Sequence, residues 1–316
     1  MIETKVQVME ENWDLLIILD ACRYDFFKGV IGDYMTGSLE KRISIGSCTP
    51  EWLNKSFKEN YPHVIYVSGN PHINSKREVK GFNANKHFNK IIDVWSFDWN
   101  KELGTVPPEN INKATIEELK KSPEKKFIVH YVQPHAPYIS EKYFVGGFLE
   151  PFTEGPLQGF QGGKWWGFLE KFINLATNPL IKAELLKNRY GIREKLRLPP
   201  ESPIDAVRRR YGVDGLRKAY VENLRIVSSS VCDLIQEISK IHRGKKIIIT
   251  SDHGELLGEK NVYSHPCGNP NPIVREIPWF TLYKVKEEES ITPRVYESEK
   301  QRVRKKIEKL RAFDKI

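Results

Sequence analysis

Lys246-Ile247-Ile248-Ile249-Thr250-Ser251-Asp252-His253-Gly254-Glu255 is the stretch from which the fold reads. A short apolar, β-branched run ends in a carboxylate, an imidazole and a glycine. Such a run, bounded by polar residues and glycine, predicts a buried strand. Open α/β sheets place their sites at the carboxyl edge of the strands. An Asp-His pair at that edge can hold a hard divalent ion. Leu15-Leu16-Ile17-Ile18-Leu19 repeats the layout and runs into Asp20-Ala21-Cys22-Arg23-Tyr24-Asp25. Two strands from opposite ends of the chain thus deliver acids to one edge, which predicts a single metal-centred site.

Outward from these two runs, strands and helices alternate. Asp25 to Val30 reads as a helix. Residues 50–57 carry apolar side chains at 52, 53 and 57, a helical spacing, with Thr49 as N-cap and Pro50 at the first helical position. His63 to Ser68 is a strand closed by Gly69-Asn70-Pro71, and Ile91 to Trp95 a short one. Ala114 to Lys121 is a helix, and Lys126 to Val132 a strand leading into Gln133-Pro134-His135-Ala136-Pro137-Tyr138. From Tyr220 to Ile241, Leu224, Val227, Val231, Leu234, Ile235 and Ile238 recur at three- and four-residue steps, predicting a long amphipathic helix. It leads into the strand before Asp252, a crossover that predicts parallel pairing there. Arg275 to Tyr283 supplies a late strand. Glycine and proline pairs (Gly146-Gly147, Gly155-Pro156, Gly162-Gly163, Pro199-Pro200) break the rhythm. They predict an inserted cap over about 140–215 within one α/β domain spanning 1–316. From 298 to 316 a charged helix is expected.

The chain has 316 residues, 40% of them hydrophobic and 11% aromatic, enough for one large domain. No apolar run approaches the ~18 residues that span a bilayer. The N-terminus lacks the basic-then-apolar order of a signal peptide. A cytoplasmic protein, at most peripheral at a membrane, is the expectation. Cys22, Cys48, Cys232 and Cys267 show no CxxC spacing, so reduced thiols are expected rather than a zinc knuckle. A net charge of +9 favours anionic partners. Non-catalytic binding of an anionic polymer, nucleic acid or polysaccharide, is therefore a rival of another class. The acids at the strand ends argue against it, because without a metal they repel phosphate.

Asp20, Asp252 and His253 supply oxygen and nitrogen ligands that suit Mg²⁺, Mn²⁺ or Zn²⁺ without choosing among them. Gly46-Ser47-Cys48-Thr49-Pro50 offers three nucleophiles just before a helix, whose free N–H groups and dipole favour negative charge. A hydroxyl there ionises more readily if a metal also binds it. His135 and His265 sit in loops after strands, placed to bind an anionic ester or to protonate a leaving group. Arg23 is suited to bidentate contact with an oxyanion, or to pairing with Asp25. A second ion would require His135, His265 and another acid, with Asp25 the nearest in sequence.

Taken in order, Asp20-Ala21-Cys22-Arg23-Tyr24-Asp25, Ser47-Cys48-Thr49-Pro50, Gln133-Pro134-His135-Ala136-Pro137-Tyr138, Asp252-His253-Gly254-Glu255 and His265 resemble the motifs of sulfatase-like proteins of the alkaline phosphatase superfamily. That group includes arylsulfatases and metal-dependent phosphoglycerol and phosphoethanolamine transferases. The resemblance implies a three-layer α/β/α sandwich with a mostly parallel central sheet. It implies a divalent ion (Mn, Mg, Zn or Ca) held by Asp20, Asp252, His253 and the nucleophile, and a covalent phospho- or sulfo-enzyme intermediate. A hydrolase or transferase acting on phosphate or sulfate esters follows, its substrate an anionic ester of which a glycan or lipid headgroup could form the rest. A two-metal phosphatase or mutase of the same superfamily is the runner-up. Two departures stand out. Sulfatases carry a second acid where this chain has Ala21, which disfavours their calcium site. Their modified cysteine lies in Cys-x-Pro-Ser-Arg, whereas Cys48-Thr49-Pro50-Glu51-Trp52 lacks the basic residue. The proline register favours Cys48 as the attacking atom and the transferase branch favours Thr49. Thr49 is preferred, because a hard ion pairs better with oxygen than with sulfur.

Overall fold

Leu15, Ile17 and Leu19 point into one apolar core, Leu16 and Ile18 into another. Strand side chains alternate between faces, so a run apolar at every position needs cover on both sides. Burying each such side chain contributes about 1.5–3 kcal/mol, which favours an interior position for this strand. In the computed structural model of the chain, which describes residues 5–152, 178, 184–185, 188–242 and 244–285, it lies inside an eight-stranded sheet.

The strands of that sheet are β1 (Lys5–Val6), β2 (Leu15–Leu19), β3 (Met35–Ser44), β4 (Tyr61–Ser68), β5 (Phe88–Asp93), β6 (Lys126–Tyr131), β7 (Ile247–Thr250) and β10 (Glu276–Val285). A small antiparallel pair, β8 (Leu256–Leu257) and β9 (Tyr263–Ser264), stands apart. Among the described residues the α-helices are α1 (Tyr24–Val30), α2 (Thr49–Ser56), α3 (Val94–Phe97), α4 (Pro108–Lys121), α5 (Arg189–Lys195), α6 (Pro203–Ile241) and α7 (Pro272–Arg275). Strand order is β1-β3-β10-β7-β2-β6-β4-β5. β10 runs antiparallel to both neighbours, and the other pairings are parallel. Phe27 of α1, Ile111 and Leu119 of α4, and Leu224, Val227 and Val231 of α6 cover one face. Trp52 and Leu53 of α2, with Ile73 and Phe82, cover the other. The result is a three-layer α/β/α sandwich with a mostly parallel sheet.

Several local readings shift. Trp95 belongs to the helical turn α3 rather than to a strand, since β5 ends at Asp93. α4 begins at Pro108, a residue suited to the first turn because it has no N–H to lose. α6 begins far ahead of Tyr220: Ser202 caps it, its hydroxyl accepting from Asp205 N at 3.2 Å. Gly212 interrupts it with φ 71° and ψ −177°, a conformation only glycine adopts readily. Much of the insert expected over about 140–215, and all of the helix expected from 298, lies outside the described residues. The insert's described part includes α5 and the start of α6.

β7, β2, β6 and β4 are successive neighbours and parallel. Their carboxyl ends therefore present Asp252-His253, Asp20, His135 and Asn70 side by side.

Candidate functional site

Backbone cross-links fix the two acid-bearing strand ends before any side chain meets a ligand. Ala21, just past β2, sits in the left-handed region at φ 57° and donates its N–H to Asp252 Oδ1 at 3.1 Å. Cys22 N donates to Ser251 Oγ at 2.8 Å, and that hydroxyl donates to the Leu19 carbonyl at 2.7 Å. Tyr220 of α6 braces the same turn: it accepts from Arg23 N at 2.9 Å and donates to the Ala21 carbonyl at 2.7 Å. Asn223, one turn on, holds the His135 loop by donating to the carbonyls of Pro137 (2.9 Å) and His135 (3.2 Å) and accepting from Ile139 N (2.8 Å). Gly254 must be glycine, because a Cβ there would lie 2.3 Å from the Ile273 carbonyl oxygen.

Asp20, Asp252 and His253 are buried, and one ligand atom from each lies within 4.8 Å of the others. Thr49 Oγ1 joins them, donating to Asp252 Oδ2 at 2.7 Å and lying 3.3 Å from His253 Nε2. Donation from His253 Nδ1 to the Gly254 carbonyl at 2.9 Å leaves the Nε2 lone pair facing the acids. Burial holds this imidazole down to about 4, against the pull of Asp252. Burial raises Asp20 well above the usual carboxylate range, and the charges of Asp252 and Glu255 add to the rise. Burial also opposes ionisation of Asp252, but His253, His130 and the bonds from Thr49 and Ala21 outweigh it and keep it low.

This donor set fits a divalent cation. Asp20 Oδ2 accepts from Asn70 Nδ2 at 2.6 Å, whereas its buried Oδ1 has no hydrogen-bond partner. That oxygen faces His253 Nε2 at 3.7 Å, too far for a hydrogen bond. Two carboxylates, a hydroxyl and a neutral imidazole, with one lone pair unspent, suit a hard or borderline ion. Asn70 was not foreseen. Its Oδ1 accepts from His72 N (2.9 Å) and faces His72 Nδ1 (3.0 Å), which forces its Nδ2 toward Asp20.

A second group adjoins the first. Ligand atoms of His135, Glu255 and His265 also lie within 4.8 Å of one another. His265 Nδ1 is 3.0 Å from Glu255 Oε1, and the rings of His265 and His253 are 4.3 Å apart. Buried Glu255 Oε2 has no partner. Burial raises Glu255, but the three neighbouring histidines outweigh it and hold the acid below its ordinary value. The acid expected here was Asp25. That carboxylate instead accepts from Arg23 Nη2 at 2.7 Å, and Glu255 takes the place. Both groups border a cleft of about 610 Å³ that Lys80, Trp99, Phe148 and Tyr190 also line.

Three expected roles change. Thr49 is not the N-cap of α2: Cys48 occupies that position and Thr49 is the first helical residue, which frees its hydroxyl for Asp252. Cys48 is not a reduced thiol. It forms a disulfide with Cys267, with Cα atoms 5.0 Å apart, while Cys22 and Cys232 are free. A sulfur in a disulfide has no thiolate with which to attack, so Cys48 leaves the list of nucleophiles. Arg23 does not reach toward an oxyanion. Its guanidinium is taken up by Asp25 and by Glu259 Oε1 at 2.7 Å.

No protein-family model matches the chain, and no curated protein matches it. Solved structures align with most of it at low identity. The C-terminal periplasmic domain of the phosphoethanolamine transferase EptC from Campylobacter jejuni shows 12% identity and a TM-score of 0.47, covering 91% of this chain and 84% of that one. The zinc complex of the corresponding Escherichia coli domain shows 12% and 0.48, covering 87% and 74%. The phosphonate monoester hydrolase of Silicibacter pomeroyi shows 12% and 0.40, covering 86% and 68%. These are sulfatase-like members of the alkaline phosphatase superfamily, the group that the motifs resemble. The first two of these structures are periplasmic domains. The cytoplasmic expectation does not stand for this chain: it carries the Cys48–Cys267 bridge, and disulfides persist mainly in oxidising compartments.

Proposed function

We propose that this protein is a divalent-metal-dependent hydrolase or transferase of phosphate esters, working outside the reducing cytoplasm through a covalent Thr49 intermediate. One observation carries the reading: Thr49 Oγ1, Asp252 Oδ2, His253 Nε2 and the unpartnered Asp20 Oδ1 converge at the start of a helix. Asp20, Asp252, His253 and Thr49 would hold the cation. Bound there, it would lower the pKa of the Thr49 hydroxyl and offset charge on the transferring group.

The chain's own residues supply the rest. Thr49 Oγ1 attacks phosphorus in line and forms a phosphothreonine, while the bond from phosphorus to the ester oxygen breaks. His135 and His265 line the cleft on the side open to a leaving group and give it a proton. Water or an alcohol then attacks phosphorus, displacing Thr49 Oγ1 and restoring the hydroxyl. The N-terminus of α2 favours the anion throughout. Phosphate takes precedence over sulfate because Cys48, the residue at the register of the sulfatases' modified cysteine, is tied into a disulfide.

A panel of generic phosphate mono- and diesters and an aryl sulfate, assayed with chelator and with metal added back, tests this. Chelator-sensitive phosphoester turnover that Thr49→Ala abolishes is expected. Full, chelator-sensitive activity in Thr49→Ala would refute the assignment. A two-ion reading is favoured by one further observation, the orphaned Glu255 Oε2 beside His135 and His265. It predicts two metal ions per chain rather than one.

A further inference from the structure

His253 and His265 are held in different ways. The backbone beside His253 is bonded to the sheet and to α7. Among the described residues, no backbone–backbone hydrogen bond holds 265–270. Beyond the contact of His265 Nδ1 with Glu255 Oε1, what holds that segment is a set of ties to the start of α2 and the loop before it. Cys267 is bonded to Cys48, the residue before the nucleophile. Glu51 Oε2 accepts from Gly268 N at 3.1 Å and, on the other side, from Ser47 N and Ser47 Oγ, both at 2.8 Å. Asn269 N donates to Ser47 Oγ at 2.9 Å. Lys55 Nζ, one turn along α2, fixes the other carboxylate oxygen at 2.5 Å. The disulfide and the bonds from Gly268 N and Asn269 N join the nucleophile's loop to the loop of His265, the bonds from Ser47 and Lys55 fix Glu51 for that role, and none touches Asp20, Asp252 or His253.

We propose that Glu51 and the Cys48–Cys267 bridge are positioning groups that hold His265 at the cleft that Thr49 also lines, so that full turnover at this site requires the oxidised chain. The proposal rests on the ester-transfer reading for its activity measurements, but not for its structural one. Cys48 is buried and Cys267 is exposed at the rim of the cleft. A small dithiol such as dithiothreitol would therefore attack the Cys267 sulfur. The sulfur–sulfur bond breaks, Cys48 leaves as a thiolate and takes up a proton. The reagent's second thiol then displaces Cys267 and closes the reagent's own disulfide. The protein gains two electrons and two protons. Asp20, Asp252 and His253 keep their places at the sheet edge.

The test compares the oxidised full-length chain, the same chain after dithiothreitol, the double variant Cys48→Ala/Cys267→Ala, and Glu51→Ala, each with and without His265→Ala. In the His265 background, losing the bridge or Glu51 should lower kcat/KM on a generic phosphodiester by about 10- to 100-fold. Mn²⁺ affinity should stay within about twofold, because no tie reaches Asp20, Asp252 or His253 and Thr49 keeps its bond to Asp252. In the His265→Ala background the same changes should cost little more, since groups acting through one partner are not additive. Equal losses in both backgrounds would show a merely structural clamp and overturn the proposal. NMR of the histidine imidazoles supplies a reading without turnover: on reduction the His265 signal should shift or broaden while that of His253 stays. An unmoved His265 signal overturns the proposal even if no ester is turned over, an outcome that would by itself count against the ester-transfer reading. Should the double variant not fold, reduction of the folded chain carries both readings.

Discussion

Two histidines, one buried and one at the cleft, have ring centres 4.3 Å apart and are anchored by different parts of the chain. His253 continues β7. Its own N–H donates to Asp252 Oδ1 at 3.0 Å, and the next residue donates to the Val274 carbonyl at 2.9 Å. His265 lies in a loop tied to the start of α2 through Glu51, Ser47 and a disulfide. The sheet makes the ion-binding half of the site, and it does so from the most buried strands in the fold. Loops make the half that would meet the leaving group. A sheet edge tolerates few arrangements, while a loop can be re-aimed by one tie. The two halves should therefore fail differently.

The largest effect is expected in the ion-binding half, where Thr49 of α2 meets the acids of the sheet edge. Thr49→Ala and Asp252→Asn should each lower turnover by at least about 10³-fold, the range seen when a nucleophile or its partner is lost. Thr49→Ser should keep most of the activity, because the hydroxyl remains. Single-turnover assays on a chromogenic phosphoester check this. In the loop-built half, His265→Ala and Glu255→Gln should cost about 10- to 100-fold, within the usual span for a positioned acid or its partner. Metal content measured on the same variants sharpens the contrast. One ion per chain, unchanged by either variant, keeps the halves separate. A fall from two ions to one makes the loop half a metal site as well.

How far the chain announces this division depends on burial. β2 and β7 are legible because strands buried on both faces must be apolar at every position, and the acids that end them are conspicuous for that reason. β3 is not legible in the sequence. It lies between short β1 and β10, and Glu40, Lys41 and Arg42 leave its pattern without a clean period of two. Asn70 passed for part of a turn after Gly69, although it bonds Asp20 directly. Tyr220 and Asn223 lay within a helix recognised by its apolar stripe, where polar members look like rim. The pairing of Cys48 with Cys267 spans 219 positions, and no spacing rule reaches that far. The metal half is written in local pattern, whereas its supports are written in contacts between distant segments.

Asp20→Asn tests whether the sheet-built half is strained without its ion. Two buried carboxylates side by side disfavour joint ionisation, and Asp20 Oδ1 has no partner. An amide in that place removes the repulsion and offers an N–H toward His253 Nε2. The metal-free variant should be more stable than the metal-free parent by about 1 kcal/mol, the scale of one hydrogen bond. Added Mn²⁺ should then stabilise the parent, by about 2.7 kcal/mol at a hundredfold excess over its Kd, and the variant much less. Thermal unfolding with chelator and with metal reads both signs. If the variant is less stable in chelator, the unpartnered oxygen is not a source of strain.

The smallest effect on activity is expected one layer below. Tyr66 and His130 lie on adjacent parallel strands, and the phenol oxygen is 2.8 Å from His130 Nδ1. Burial holds His130 down to about 4, so at neutral pH its neutral ring accepts the phenol proton at Nδ1 or donates to the phenol oxygen. Its Nε2 has no partner, and neither residue touches Asp20, Asp252 or Thr49 by a hydrogen bond. Tyr66→Phe leaves a buried ring nitrogen unpaired and should cost about 1–3 kcal/mol of stability. Turnover and Mn²⁺ affinity should stay within about twofold, because Asp252 keeps its bonds to Ala21 N and Thr49. Denaturant unfolding and steady-state kinetics on one preparation separate the two outcomes. A loss of activity comparable to that of His265→Ala would mean that the sheet half depends on this buried pair, and that the rigidity assigned to it reaches deeper than the strand ends.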